Sequence, residues 1–233
     1  PLNHPSPHAA VRHRRANAAG SLSWKQNLNL ELAGGADEQI LFDPANEIDD
    51  GFGGTISSRG GDLTGRLSWS GSLWSSPSSK ALVTGLDLVA GVEQRRQWYR
   101  QSYDEAKDPQ RYRRTSSAFA GLTIGFAADR LLMMPAWRWQ ASLDDFPPLP
   151  VLPGLPESGG IIHERDDVSP SLGAVWEISR ERLFLQGHTA RSVRVPTWIE
   201  LFGHRGGIDG NRELQPEDIT SSDIALTWQA EGG

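Results

Sequence analysis

Few side chains in this sequence have the types and spacings that covalent chemistry needs. Cysteine is absent, which excludes thiol nucleophiles, disulfide frameworks and zinc ribbons. The histidines, His4, His8, His13, His163, His188 and His204, show no metal-ligand spacing. His163-Glu164 runs into Arg165-Asp166-Asp167, so no second histidine completes a zinc-binding helix. Neither a G-x-S-x-G elbow nor a P-loop occurs, and Gly51-Phe52-Gly53-Gly54 lacks the helix that a phosphate cradle requires. Asp43, Glu47, Asp49 and Asp50 gather carboxylates of the kind calcium prefers, but without EF-hand spacing, and such acidic loops are ordinarily just solvated. One grouping suits recognition. Arg194, Trp198, His204 and Arg205 set an aromatic plate beside cationic groups, an arrangement that takes a flat anionic ligand by stacking and charge-assisted hydrogen bonds. The same residues have a purely structural reading, with Arg194 paired to Glu200 and Trp198 pinning its loop to the wall behind it. No catalytic residue, metal site or cofactor is expected.

The elements that would carry these residues are strands. The 233-residue chain holds 29 acidic against 23 basic side chains, a balance that argues against a nucleic-acid partner. No apolar run approaches the ~18 residues of a membrane helix; the nearest, residues 118–128, is broken by Gly121, Thr123 and Gly125. Nine tryptophans and 25 glycines, with lysine only at Lys25, Lys80 and Lys107, point to a β protein with aromatic belts. Period two dominates. Leu63, Gly65, Leu67, Trp69, Gly71 and Leu73 alternate with Thr64, Arg66, Ser68, Ser70 and Ser72. Leu82, Leu86, Leu88, Ala90 and Val92 then oppose Gly85, Asp87, Gly91, Glu93 and Arg95. The pattern recurs to give nine strands of roughly 11–17 residues, well above the mode of about 5–6 in soluble sheets. Arg12-His13-Arg14-Arg15 falls on the first and is expected to meet carboxylates across a polar lumen. Pro135 interrupts one strand and implies a bulge or an unpaired position.

Short connections at residues 25–27, 75–79, 129–130 and 180–181 take turns with long ones at 37–61, 99–111, 146–166 and 193–216. Membrane barrels show this asymmetry, with tight turns on one side and long loops on the other. Trp24, Trp176 and Trp228 lie near short connections, and Trp98 with Tyr99 borders a long one, as aromatic girdles would.

One stretch is more specific. It begins with Ser169-Pro170-Ser171-Leu172-Gly173 and continues with Arg194-Val195-Pro196-Thr197-Trp198-Ile199-Glu200-Leu201-Phe202-Gly203. Gly210-Asn211-Arg212-Glu213-Leu214-Gln215-Pro216-Glu217 closes it. These runs resemble, in order and spacing, the TonB-dependent receptors of Gram-negative outer membranes, most clearly over residues 115–229. The resemblance implies an all-β, antiparallel transmembrane barrel with residues 1–233 forming one partial barrel domain. About nine strands would belong to a larger 22-stranded barrel with a plug inside it. Plug, coupling box and closing strand are not in this sequence, so it is expected to be a middle segment. The implied function is energised uptake of a scarce small-molecule ligand such as an iron–siderophore complex. The implied partners are outer-membrane lipid, the plug and the TonB complex, with no nucleic acid. The apolar face would meet lipid; Arg66, Asp87, Glu93, Arg138 and Glu177 would meet the plug. A passive porin shares the alternation but not the motif pair, and a soluble carbohydrate-binding sandwich would bury the leucines in a core.

Overall fold

A computed structural model describes residues 10–24, 27–43, 54–76, 81–103, 106–107, 109–148, 160–202, 204–205 and 208–229. Nine long strands form one antiparallel sheet: β1 (Ala10–Trp24), β2 (Leu28–Asp43), β3 (Gly54–Ser75), β4 (Val83–Tyr103), β6 (Arg111–Phe126), β7 (Leu131–Phe146), β8 (Ile161–Ser179), β9 (Leu183–Arg194) and β12 (Glu217–Trp228). Each pairs with the next, so the sheet is a continuous meander that ends at β1 on one edge and β12 on the other. The short β5 (Ala106–Lys107) folds back on β4, and β10 (His204–Arg205) pairs with β11 (Ile208–Asp209). A single helical turn, α1 (Trp198–Phe202), sits in the last long connection.

The strands are longer than the hydrophobic pattern indicates. β3 has 22 residues and β4 has 21, about twice the 9–11 that cross a bilayer. The extra length lies at the long-loop end. Residues 37–43 and 54–61, expected in a loop, are paired strand, and so are 99–103 and 161–166. Ser58, for example, sits between Gln39 and Gln101. Beyond the apolar band both faces of a strand are polar, which erases the alternation that would reveal it.

Besides a register shift between Glu177 and Ser179 on the β8–β9 ladder, two β-bulges adjust the faces near the short-turn end. One between Ser72 and Trp74 brings Trp74 opposite Leu86 and leaves Leu73 as the extra residue. The other, between Val83 and Gly85, sets Val83 opposite Phe126, so Val83 rather than Leu82 continues the apolar row. Pro135 causes no register shift. It pairs with Leu172 of β8, while the β6–β7 ladder simply lapses between Gly121/Ala136 and Ile124/Met133, because proline offers no N–H.

The short turns are tightly clasped. Ala127, Ala128 and Asp129 all take left-handed φ values of 51–63°, a sharp reversal that strands joined at this distance require. The Thr84 hydroxyl donates to the Asp129 carboxylate, and Arg130 donates to the Glu177 and Ile178 carbonyls. Outward from the sheet stand Trp24, Trp74, Trp176 and Trp228, all well exposed as a girdle toward this end.

Candidate functional site

Parity divides the sheet into two chemically distinct faces. On one, Leu86, Leu88, Ala90 and Val92 of β4 lie opposite Ile124, Leu122, Ala120 and Ala118 of β6. The other carries charge. Arg138 of β7 donates to Glu93 of β4 at 2.8 Å and to the Ser117 hydroxyl of β6 at 3.0 Å, and the Arg66 guanidinium lies 4.6 Å over the Phe119 ring. The basic run of β1 is split by the same parity. His13 and Arg15 line an inner recess with Asn17, Asp37 and Asp62, while Arg12 and Arg14 belong to the other face.

The densest part of the inner face is at the long-loop end, under α1. Arg113 and Asp144 stand directly opposite each other on β6 and β7 and form a buried bidentate pair of 2.6 and 2.8 Å. The third arm of Arg113 donates to the Pro196 carbonyl at 2.9 Å, and its guanidinium lies 4.8 Å from the Trp198 ring. Trp198 stacks parallel on Tyr99 of β4 at 5.9 Å and meets Phe146 edge-on at 6.1 Å. Phe146, fully buried, also meets Phe202 at 4.8 Å. Arg111 and Arg212 cover Phe202 at 4.1 and 5.7 Å. Tyr99, expected in the girdle, therefore turns inward and is buried; only its neighbour Trp98 faces outward, lying across Gly61, where a Cβ would strike the indole.

The motif residues have local reasons. Thr197 caps α1: its N–H donates to the Glu200 carboxylate at 2.7 Å, and its hydroxyl accepts from the Glu200 N–H at 3.4 Å, a capping box. Arg194 bridges Glu200 (3.0 Å) and Glu217 (2.8 Å), joining the helix to both strands that flank the loop. The Arg194 hydrogen bonds, with those from the Thr197 N–H and hydroxyl, pull the Glu200 carboxyl down to about 2. The Asn211 N–H returns to the Glu200 carbonyl at 2.8 Å. That approach requires glycine at 210, where a Cβ would come within 2.5 Å of the Phe202 nitrogen. The Asn211 side chain accepts from the Glu213 N–H in an Asx turn at 2.9 Å.

Of the four residues singled out from sequence, Arg194 and Trp198 thus belong to one packed assembly. The backbone of His204 and Arg205 pairs with Asp209 and Ile208 in the small ribbon beyond it. Sequence reasoning missed Tyr99, Arg111, Arg113, Asp144 and Phe146. The inward parity of these strands was available, but nothing in one dimension shows that α1 comes down on them. Three further inward positions, His163, Arg165 and Asp167 on β8, each hold a buried polar atom without a hydrogen-bond partner among the described residues. Among the described residues no three histidine or acidic side chains converge on a metal-sized site. Of the acidic loop proposed for calcium, Asp43 closes β2, while Glu47, Asp49 and Asp50 lie outside the described residues.

A nine-stranded antiparallel meander with one apolar face, one charged face and a capped loop folded over the charged side is a section of a transmembrane barrel. The family model for the TonB-dependent receptor-like β-barrel matches residues 5–233, and the chain belongs to that family. Two solved structures share the fold. One, the copper transporter OprC, has a TM-score of 0.63 at 15% identity, over 88% of this chain and 35% of its own. The other, the siderophore receptor PiuA from Acinetobacter baumannii, has a TM-score of 0.61 at 10% identity, over 93% and 38%. The chain therefore spans just over a third of these relatives. No curated protein sequence matches it.

Proposed function

We propose that the protein to which this chain belongs is an energised outer-membrane receptor that captures a scarce, complexed metal at the cell surface and imports it past an internal plug. The observation that carries this reading is the inner mouth. Arg111, Arg113 and Arg212 are stacked on Trp198 and Phe202 under α1, and His163, Arg165 and Asp167 beside them hold polar atoms with no described partner. Buried polar atoms of that kind call for a plug, water or a ligand to complete them. The two structural relatives, a copper transporter and a siderophore receptor, support metal cargo in this reading. Membership of the family supports coupling to the TonB complex and an outer-membrane location as parts of this reading.

Within that mouth, Arg194 and Trp198 act by holding the loop in place. His204 and Arg205, on the ribbon that follows α1, are the groups we assign to the ligand, an anionic, flat ferric chelate. The test is binding of a ferric catecholate to the complete receptor. Arg205→Ala should weaken binding roughly tenfold, as loss of one charge-assisted hydrogen bond does, with folding unchanged. Unaltered affinity in both Arg205→Ala and His204→Ala would remove the ribbon from the site.

A further inference from the structure

Outward-facing arginines of the strands divide between those with partners and those, Arg12, Arg14, Arg96 and Arg114, that have none among the described residues. Arg59 of β3 donates to Glu38 of β2 at 2.7 Å, and Arg191 of β9 donates to Asp218 of β12 at 2.9 Å. Of the unpartnered four, Arg96 of β4 and Arg114 of β6 differ in facing one another. They lie directly opposite one another in the register, both exposed, and no ion pair or hydrogen bond holds either side chain among the described residues. Like charges directly opposite in an antiparallel pair repel and destabilise it unless something negative lies between them.

Their place along the β4–β6 pair indicates what that is. From the short-turn end the outward pairs read Leu86/Ile124, Leu88/Leu122, Ala90/Ala120 and Val92/Ala118, all apolar. Gln94/Ser116 follows, joined by a 2.8 Å hydrogen bond from the serine hydroxyl, then Arg96/Arg114, then Trp98/Tyr112. At ~3.4 Å per residue the arginine pair stands about 14 Å beyond Val92/Ala118. Hydrocarbon, a hydrogen-bonding layer, paired cations and aromatic rings thus succeed one another in the order in which acyl chain, ester or amide linkage, phosphate and headgroup succeed one another in a lipid. Leu63 and Leu143, opposite Arg96 and Arg114 on the outer sides, close an apolar frame around the two guanidinium groups.

We infer that Arg96 and Arg114 form a binding site for the phosphate of an anionic lipid on the outer wall of the barrel. Two guanidinium forks converging on one phosphate give each the charge-assisted hydrogen bonds it lacks in the protein. The site rests on the reading of this face as lipid-facing and is independent of the ligand mouth inside.

The test uses the complete receptor in phosphatidylcholine bilayers carrying spin-labelled phosphatidic acid or spin-labelled phosphatidylcholine. The wild type should hold the acid in preference to the choline lipid, and Arg96→Gln/Arg114→Gln should lose that preference, roughly thirtyfold for two surface cations. Arg95→Gln, which removes a charge from the opposite face beside Asp62 (3.5 Å), should leave it intact. Equal preference in wild type and double variant overturns the site. So does displacement of the labelled acid by millimolar inorganic phosphate, which would reveal an anion site with no use for the lipid. A quencher dissolved in the acyl chains should reach a fluorophore at Ala120 in every variant. Failure there would overturn the lipid-facing assignment itself, whereas quenching at Ala120 with no lipid preference would overturn the arginine site alone.

Discussion

At the scale of single residues, the buried Arg113–Asp144 pair and the exposed Arg194–Glu200–Glu217 bridge behave differently. Arg113→Met leaves Asp144 charged and only 3% exposed in its side chain, and breaking a buried pair from one side costs about 3–5 kcal/mol. Denaturant unfolding of the complete receptor should show that loss, and Asp144→Leu on top of it should recover much of the stability. The Glu200 bridge is solvent-facing and its signature is pH. Its carboxyl titrates near 2 when folded, against an ordinary 4.5. Its contribution is therefore complete above pH 4.5 and disappears as pH falls through 2. The difference between wild type and Glu200→Gln in Trp198 fluorescence should close over that window and stay constant above it. Of this site the sequence showed the Arg194–Glu200 pair, because the two residues are close in the chain and opposite in charge; the Thr197 cap and the link to Glu217 emerge only in the structure. Tyr99, Arg113 and Asp144 stayed hidden because their partners are 83–99 positions away for Arg113 and Tyr99, and because arginines and aspartates in strands are usually solvated.

At the scale of elements, the apolar face is the quantity to test. Arginine at Leu67, Leu86, Ile124 or Leu226 should cost about 2–4 kcal/mol near the bilayer midplane, whereas arginine at Ser68 on the inner face should cost less. Refolding into vesicles at a series of urea concentrations measures both, and equal penalties would contradict the two-solvent reading of the strands. Strand count and facing were legible because residues such as Leu88, Ala90 and Val92 alternate with Asp87, Gly91 and Glu93 in a period that only a sheet uses. The bulges at Leu73 and Thr84 were not, since one inserted residue leaves two apolar side chains adjacent and offers no sign of which turns outward. Strand ends were misplaced for a related reason: above the lipid band, Ser57, Ser58, Arg59 and Gly60 read as loop although they pair on both sides.

At the scale of the molecule, the two ends of the sheet should lie on opposite sides of the membrane. Glu181 occupies the tight turn between β8 and β9, and Glu213 is exposed in the loop beyond α1. Cysteine at Glu213 in the complete receptor should react with an impermeant maleimide on intact cells. Cysteine at Glu181 should react only after the outer membrane is opened. The reverse order would invert the topology.

The seat of α1 also imposes a sequence of events. Every long strand pairs with its neighbour in the chain, so hairpins can zip one after another with little loop to close. Trp198 cannot reach Tyr99, nor the Pro196 carbonyl Arg113, until β4, β6, β7, β8 and β9 are already side by side. Docking of the helix is thus a late step that reports on five strands at once. During refolding, protection of the hairpins from protease should precede the burial of Trp198, and a receptor stalled with that indole still wet would be one whose wall was never finished.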